Sequence, residues 1–415
     1  MAGAPAVATA VLPQRRRVAA NTASLVFAYA IPRAFTLLSA VVAARVLGAA
    51  LFGDYATAAA VAVVASIVAT LGMQPLLVRE VARAPRSAPR LIAAAHAAKL
   101  GTVALMGSVL VAVAVLALRP PVAAAALLLG AGYAVGAFVE NLAAYFQGIE
   151  RMHVWTQASA ILGVVSGGAG VALVMATRSL LWLCAAPLLG QSAALAWLLR
   201  SAPAAVRRPP VPAAATVVAL LRRLAPFAVA FIATTLFYRA DVLLLSHWRA
   251  SAEVGTYSAA YRFLDVAQAL AAAAAGALLP QLSRRGQACG TLAPRLIAWI
   301  AAGTAPVACL LFALRQPVVS VLYGPGYAAA VPVLAILAPV VVPVAVNMFA
   351  LCALNAMNAM WVGAALYVGA AALNVALNLA WIPGRGAHGA ALAALITESA
   401  LAIGFACALR LRRAR

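Results

Sequence analysis

From Val18 to Arg410 the chain is a succession of apolar runs, each about twenty residues long, separated by short intervals that hold most of its arginines. At ~1.5 Å per residue such a run matches a bilayer core of ~30 Å. Hydrocarbon offers backbone N–H and C=O groups no water, so a run of this kind has to be helical. Twelve runs can be drawn: 18–44, 54–78, 91–118, 121–146, 154–177, 179–200, 222–246, 255–280, 293–315, 331–354, 361–382 and 387–410. The expected fold class is an all-α polytopic membrane protein with twelve transmembrane helices. A water-soluble fold is excluded, because 66% of the residues are hydrophobic and only 9% charged. Soluble domains are nearer 45–50% and 25%.

The net charge of +22 arises from 30 Lys and Arg against 8 Asp and Glu. Its distribution argues for topology rather than nucleic-acid binding. With a cytoplasmic N-terminus, 20 of the cations fall in inner intervals and 6 in outer ones, so both termini are expected on the cytoplasmic side. The Ala/Arg-rich, nearly Lys-free usage fits a high-GC bacterium, so a bacterial inner membrane is the expected location. The remaining four, Arg33, Lys99, Arg239 and Arg262, lie within spans. Residues 1–17, ending Arg15-Arg16-Arg17, are expected to be a basic cytoplasmic N-terminus that precedes an uncleaved first span. The five cysteines are scattered without a CxxC, so neither a disulfide framework nor a metal site is expected.

The longest interval, 201–221, is rich in proline and basic, and sits near the middle. It is expected to link an N-terminal six-helix bundle, 18–200, to a C-terminal one, 222–411. The halves echo each other. Gly53-Asp54-Tyr55 matches Gly255-Thr256-Tyr257 at an offset of 202, where Leu76-Leu77 also falls on Leu278-Leu279 and Arg83 on Arg285. RLIA at 90–93 recurs at 295–298. Six spans per unit make the copies parallel, two repeats around a central cavity.

Several stretches resemble the polysaccharide flippase family (Wzx-type) of the multidrug/oligosaccharidyl-lipid/polysaccharide (MOP) exporter superfamily. They are ARVLGAALFGDYATA (44–58), LGMQPLLVREVAR (71–83), YFQGIERM (145–152), ADVLLLS (240–246), VGTYSAAYRFLDV (254–266) and LLPQLSR (278–284). VLYGPGYAAAVPVLAIL (321–337) and NVALNLAWIPGRGAHGAALAALITE (374–398) extend the likeness over nearly the whole chain. The loop at 355–360 departs from it, having no basic residue, and twelve spans differ from the fourteen typical of the lipid II flippase branch. The resemblance implies a cargo of oligosaccharide on an undecaprenyl diphosphate carrier. It also implies a monomeric, cofactor-free exporter among membrane lipids, working beside a polysaccharide polymerase or glycosyltransferases.

An ionisable group at membrane depth costs at least about 2.5–3.5 kcal/mol, so it should face a partner or a wet cavity. Arg239, Asp241, Arg262 and Asp265 share one stratum of the hairpin formed by spans seven and eight. They read either as an Asp241–Arg262 bridge that pins the hairpin or as a cavity wall with spare cation. In the N-terminal half His96, Lys99 and Glu140 form a second group, read as a Lys99–Glu140 bridge or as a coupling site. Arg33 has no acid in its own helix and follows Pro32, which should kink that helix; Glu398 is a candidate partner across the halves. Asn374 and Asn378, at i and i+4, either line the cavity and bond sugar hydroxyls or hold helices together.

Arginine forks suit phosphate, so Arg33, Arg239 and Arg262 are the candidate cargo-binding residues. The single lysine, Lys99, has no glycine-rich loop before it, which excludes a Walker A site and nucleotide hydrolysis by that route. A multidrug or cation antiporter of the same superfamily is the first rival, and would call for unpaired acids. A membrane glycan polymerase or ligase is the second, and would call for catalytic residues in a large outer loop. The longest outer loop, 316–330, contains no acid, His or Arg. No catalytic residue is assigned.

Overall fold

A computed structural model describes the backbone of residues 14–413 except 209, 286–288 and 358, and the side chains from 32 to 412 except those of 209, 225–227, 230, 277, 279–294 and 358. Residues 1–13 and the side chains of Arg15–Arg17, Arg284, Arg285 and Cys289 therefore lie outside the described set. Among the described residues the protein is helical throughout, with no strand.

The N-terminal half comprises α1 (Gln14–Thr70), α2 (Met73–Arg83), α3 (Ala88–Ala117), α4 (Pro120–Gly148), α5 (Met152–Thr177) and α6 (Leu180–Ser201). The short α7 (Ala204–Arg207) leads to the C-terminal half: α8 (Ala214–Trp248), α9 (Ser251–Arg285), α10 (Cys289–Ala313), α11 (Arg315–Tyr323), α12 (Ala330–Leu337), α13 (Val341–Ala356) and α14 (Met360–Arg413). Among the described residues eight helical stretches are long and apolar enough to cross a membrane. Two of them cross twice, and α8 and α9, of 35 residues each, complete the twelve spans.

The double crossings follow from length. The 57 residues of α1 would reach ~85 Å if straight, far beyond a ~30 Å core. The ribbon breaks at Gly48, whose φ of 74° a side chain would resist. Both limbs then face one space: Arg33 and Val63, each fifteen residues from the break, line the same cavity. In α14 the break is Gly386, and Asn374 on one limb donates to Thr397 on the other at 3.3 Å, as an antiparallel hairpin requires. Pro32 does not interrupt α1, whose backbone stays helical there; the Thr36 hydroxyl donates to the Pro32 carbonyl at 2.7 Å.

The two halves are parallel six-helix repeats, and the offset of 202 is visible in their contact. A Cβ on Gly53 would strike the Ser251 carbonyl and come within 2.9 Å of the Gly255 nitrogen. Reciprocally, a Cβ on Gly255 would strike the Ala49 carbonyl and come within 3.1 Å of the Gly53 nitrogen. Ala49 and Ser251 are themselves 202 residues apart, so each repeat presents the same surface to the other. The repeats differ after their second spans begin: Leu71 (φ 47°) and Gly72 (φ 61°) separate α2 from α1, whereas α9 continues unbroken through the corresponding stretch.

The interval without a long helix is shorter than 201–221, because α8 reaches back to Ala214. Its first turns are amphipathic. Leu220 and Leu224 are buried against Met73, Leu76 and Leu77, while Arg223 meets Glu80 of α2 at 2.9 Å. The start of the second half thus rests on the first.

Candidate functional site

The seal at the end of the bundle that carries the Gly48 and Gly386 turns is polar as well as close-packed. Arg119, at the head of α4, donates to Asp54 Oδ1 at 2.8 Å and to Ser251 Oγ at 2.6 Å, and Ser251 donates to Asp54 at 2.6 Å. This triad ties α1 and α4 to α9. Tyr327 donates to the Ala44 carbonyl at 2.9 Å, and Arg45 to the Val321 carbonyl, so the loop after α11 is fastened to α1 as well.

Directly beneath the seal lies a cavity of about 180 Å³ between the halves. Arg33 and Thr36 enter from the first limb of α1, Tyr55 and a small-residue strip (Ala56, Ala59, Ala60, Val63) from its second limb, and Tyr133 from α4. The other wall is Arg239 and Val242 of α8 with Ser258, Tyr261, Arg262 and Asp265 of α9. Eight of the wall positions form four pairs of repeat partners at the offset of 202: Ala56 and Ser258, Ala59 and Tyr261, Ala60 and Arg262, Val63 and Asp265. The same helix positions carry methyl groups on one side and polar groups on the other.

Three of the four intramembrane cations therefore converge on one space. Among the lining residues they face a single carboxylate, Asp265. Its Oδ2 accepts from Arg262 Nη1 at 3.2 Å and its Oδ1 lies 4.0 Å from Arg239 Nη2. Arg262 Nε is buried without an acceptor. Arg33 is exposed and, among the described residues, has no carboxylate within 4.0 Å. Among the lining residues three guanidiniums against one carboxylate leave two positive charges in excess, with Asp241 behind the wall within electrostatic reach of Arg239.

The expected pairings are corrected in two places. Asp241 does not bridge to Arg262. It is 3% exposed and accepts from the Tyr257 hydroxyl and from the Val242 amide at 2.7 Å, turned away from the cavity into the C-terminal half. Arginines two and three residues from an acid on adjoining helices leave the partner to helix rotation, and rotation gives Arg262 its own i+3 neighbour. Glu398 does not meet Arg33 either. It is 3% exposed and accepts from Asn347 Nδ2 at 2.6 Å, a contact between α13 and the second limb of α14.

Asn374 and Asn378 are 3% and 0% exposed and lie outside the cavity lining. Asn378 donates to Asn374 at 2.8 Å and Asn374 to Thr397, which joins the limbs of α14. Lys99 is fully buried beside Glu140 at 3.5 Å and donates to the Thr70 carbonyl at 3.3 Å; His96 Nδ1 lies 3.3 Å from the Asn141 amide. These five residues form a polar knot between α1, α3 and α4, separate from the lining.

Sequence reasoning missed the tyrosines. Tyr55, Tyr133 and Tyr261 sit in apolar runs, where an aromatic reads as core. One signal was available: Tyr261 stands beside Arg262, and Tyr55 is the repeat partner of Tyr257, the residue that bonds Asp241.

Solved structures share this architecture. The lipid II flippase MurJ in an inward closed conformation aligns with 92% of this chain and 86% of its own at a TM-score of 0.72 and 12% identity. A multidrug resistance MATE family transporter in its inward-facing conformation aligns with 94% and 98% at 0.71 and 14%. A point mutant of the Vibrio cholerae MATE transporter VcmN aligns with 95% and 97% at 0.65 and 14%. At such identities the likeness is one of fold. No curated protein matches the sequence significantly. The model of a family described as polysaccharide biosynthesis protein matches residues 18–285, well over half of the chain. The chain shares its twelve-span repeat fold with MATE and MurJ transporters, and by its match to that model it belongs to the polysaccharide biosynthesis protein family.

Proposed function

We propose that the protein is a flippase for oligosaccharide carried on undecaprenyl diphosphate, moved across the bacterial inner membrane by alternating access for cell-surface polysaccharide synthesis. The observation that carries this reading is the cavity: three arginines between the repeats, one carboxylate among them, and donor groups without acceptors. A diphosphate offers such a site several acceptor oxygens and the missing negative charge, and guanidinium forks bind it bidentately. Tyr55, Tyr133 and Tyr261 add faces and hydroxyls suited to the sugar next to the phosphates.

With the termini on the cytoplasmic side, the seal at Gly53 and Gly255 is external and closes the cavity on that side. Cargo enters from the inner leaflet, the halves rock about their shared interface, and the external seal parts. An anion moving outward across an inside-negative membrane gains about 2.3 kcal/mol per charge per 100 mV, so the potential favours the step. The MurJ and MATE relatives support a transporter; the choice of a phosphorylated lipid over a cationic drug rests on the sign of the cavity charge.

Replacing Arg33 with Ala should lower glycan export at least tenfold with the protein still present in the membrane, since one lost charge-assisted hydrogen bond is worth about 1.5–3 kcal/mol. Arg262→Ala should do the same. Export is read as surface polysaccharide in cells whose own copy is deleted. Full export by both variants would remove the site assignment.

A further inference from the structure

Asp265 faces the cavity in an arrangement with more donors than acceptors. It is i+3 from Arg262 on one face of α9 and spans the gap to Arg239 on α8, with the second pair at the limit of contact, 4.0 Å. Two guanidiniums share one carboxylate, the third has none, and Arg262 Nε is unused. A carboxylate between two arginine forks offers them the same kind of anionic oxygen pair that one edge of a phosphate group would. Its side chain is 18% exposed, so it is within reach of whatever enters.

We propose that Asp265 is the cavity's built-in competitor for the cargo's anion: it occupies the Arg239–Arg262 pair when the site is empty, yields to phosphate oxygens on loading, and re-pairs as the cargo leaves. The inference rests on the reading of this cavity as a diphosphate site. Without the carboxylate, three guanidiniums would face one another in a poorly screened space, a repulsion that an empty carrier would have to sustain while it resets. With it, affinity is held down and release is assisted. Arg33 has no internal competitor and is therefore the first contact for incoming phosphate. The N-terminal repeat has Val63 at the equivalent position, so the device belongs to one wall only.

A carboxylate that merely orients Arg262 would behave in the opposite way, because its loss would disorder the binding group and weaken the anion. The full chain in lipid nanodiscs, titrated with inorganic pyrophosphate, separates the two. Asp265→Asn, which keeps the shape and one acceptor oxygen, should bind pyrophosphate about tenfold more tightly than the parent, the scale of one partly screened charge pair, while exporting glycan more slowly. Asp265→Val, which copies the N-terminal repeat, should tighten binding as well and guards against a particular defect of the amide. Unchanged or weaker binding in both variants would overturn the inference. Arg262→Ala and Arg33→Ala run alongside identify which claim has failed. If they lose pyrophosphate while the Asp265 variants fail to tighten, only the competitor is wrong; if they retain it, the diphosphate reading itself is wrong.

Discussion

Gly255→Leu should abolish glycan export while leaving a folded protein in the membrane. A Cβ at this position already strikes the Ala49 carbonyl and sits 3.1 Å from the Gly53 nitrogen, both backbone atoms with no rotamer to retreat into. A leucine therefore cannot be housed while α1 and α9 remain in contact, and the seal must stay parted. The Asp54–Arg119–Ser251 triad, whose arginine side chain is 70% exposed, is worth too little to force the helices together. The measurement is thiol labelling from outside the cell. With the native cysteines replaced and Ala59→Cys placed in the cavity wall, a membrane-impermeant maleimide should label the Gly255→Leu protein and label the parent much less. Gly53→Leu should repeat the result from the other repeat. Identical labelling with and without leucine would show that this contact does not control access.

The Lys99–Glu140 pair should respond asymmetrically to mutation. Lys99 is fully buried, whereas the Glu140 side chain is 38% exposed. Glu140→Leu would strand a buried ammonium with only the Thr70 carbonyl as acceptor, and breaking a buried pair in this way costs about 3–5 kcal/mol. Lys99→Met leaves a carboxylate that is less enclosed than the ammonium and can become neutral by taking up a proton, and it should cost less. Lys99→Met with Glu140→Leu together should recover most of the loss, since an apolar pair of similar volume removes both desolvation penalties. Thermal unfolding of the four proteins in one detergent gives the order. A Lys99→Met protein less stable than Glu140→Leu would contradict it.

How far the sequence could be read depended on the physics behind each feature. Spans were legible because the length of a crossing is set by the bilayer, and the repeat was legible because Gly53 and Gly255 occupy a contact that tolerates nothing larger. The cavity arginines were legible because a charge in hydrocarbon is costly and calls for a reason. Partners were not. Asp241 binds Tyr257 and Glu398 binds Asn347, choices made by helix rotation that one-dimensional spacing leaves open. The start of α8 was missed for a different reason. Prolines and arginines at 207–212 read as linker, but the next turns, from Ala214, find a hydrophobic bed on α2 and α3 that only the tertiary fold supplies. The tyrosines of the cavity were concealed by their surroundings, since in a chain this apolar an aromatic gives no contrast until a void appears beside it.

The central claim is that Arg33, Arg239 and Arg262 together hold the phosphates of a lipid carrier. Native mass spectrometry of the purified protein with an equimolar mixture of undecaprenyl diphosphate and undecaprenol tests it most directly, because the two lipids share a tail and differ only in the phosphates. The parent should retain the diphosphate in large excess over the alcohol, and the protein with all three arginines changed to alanine should retain both alike. An undiminished preference for the diphosphate in the triple variant would contradict the account.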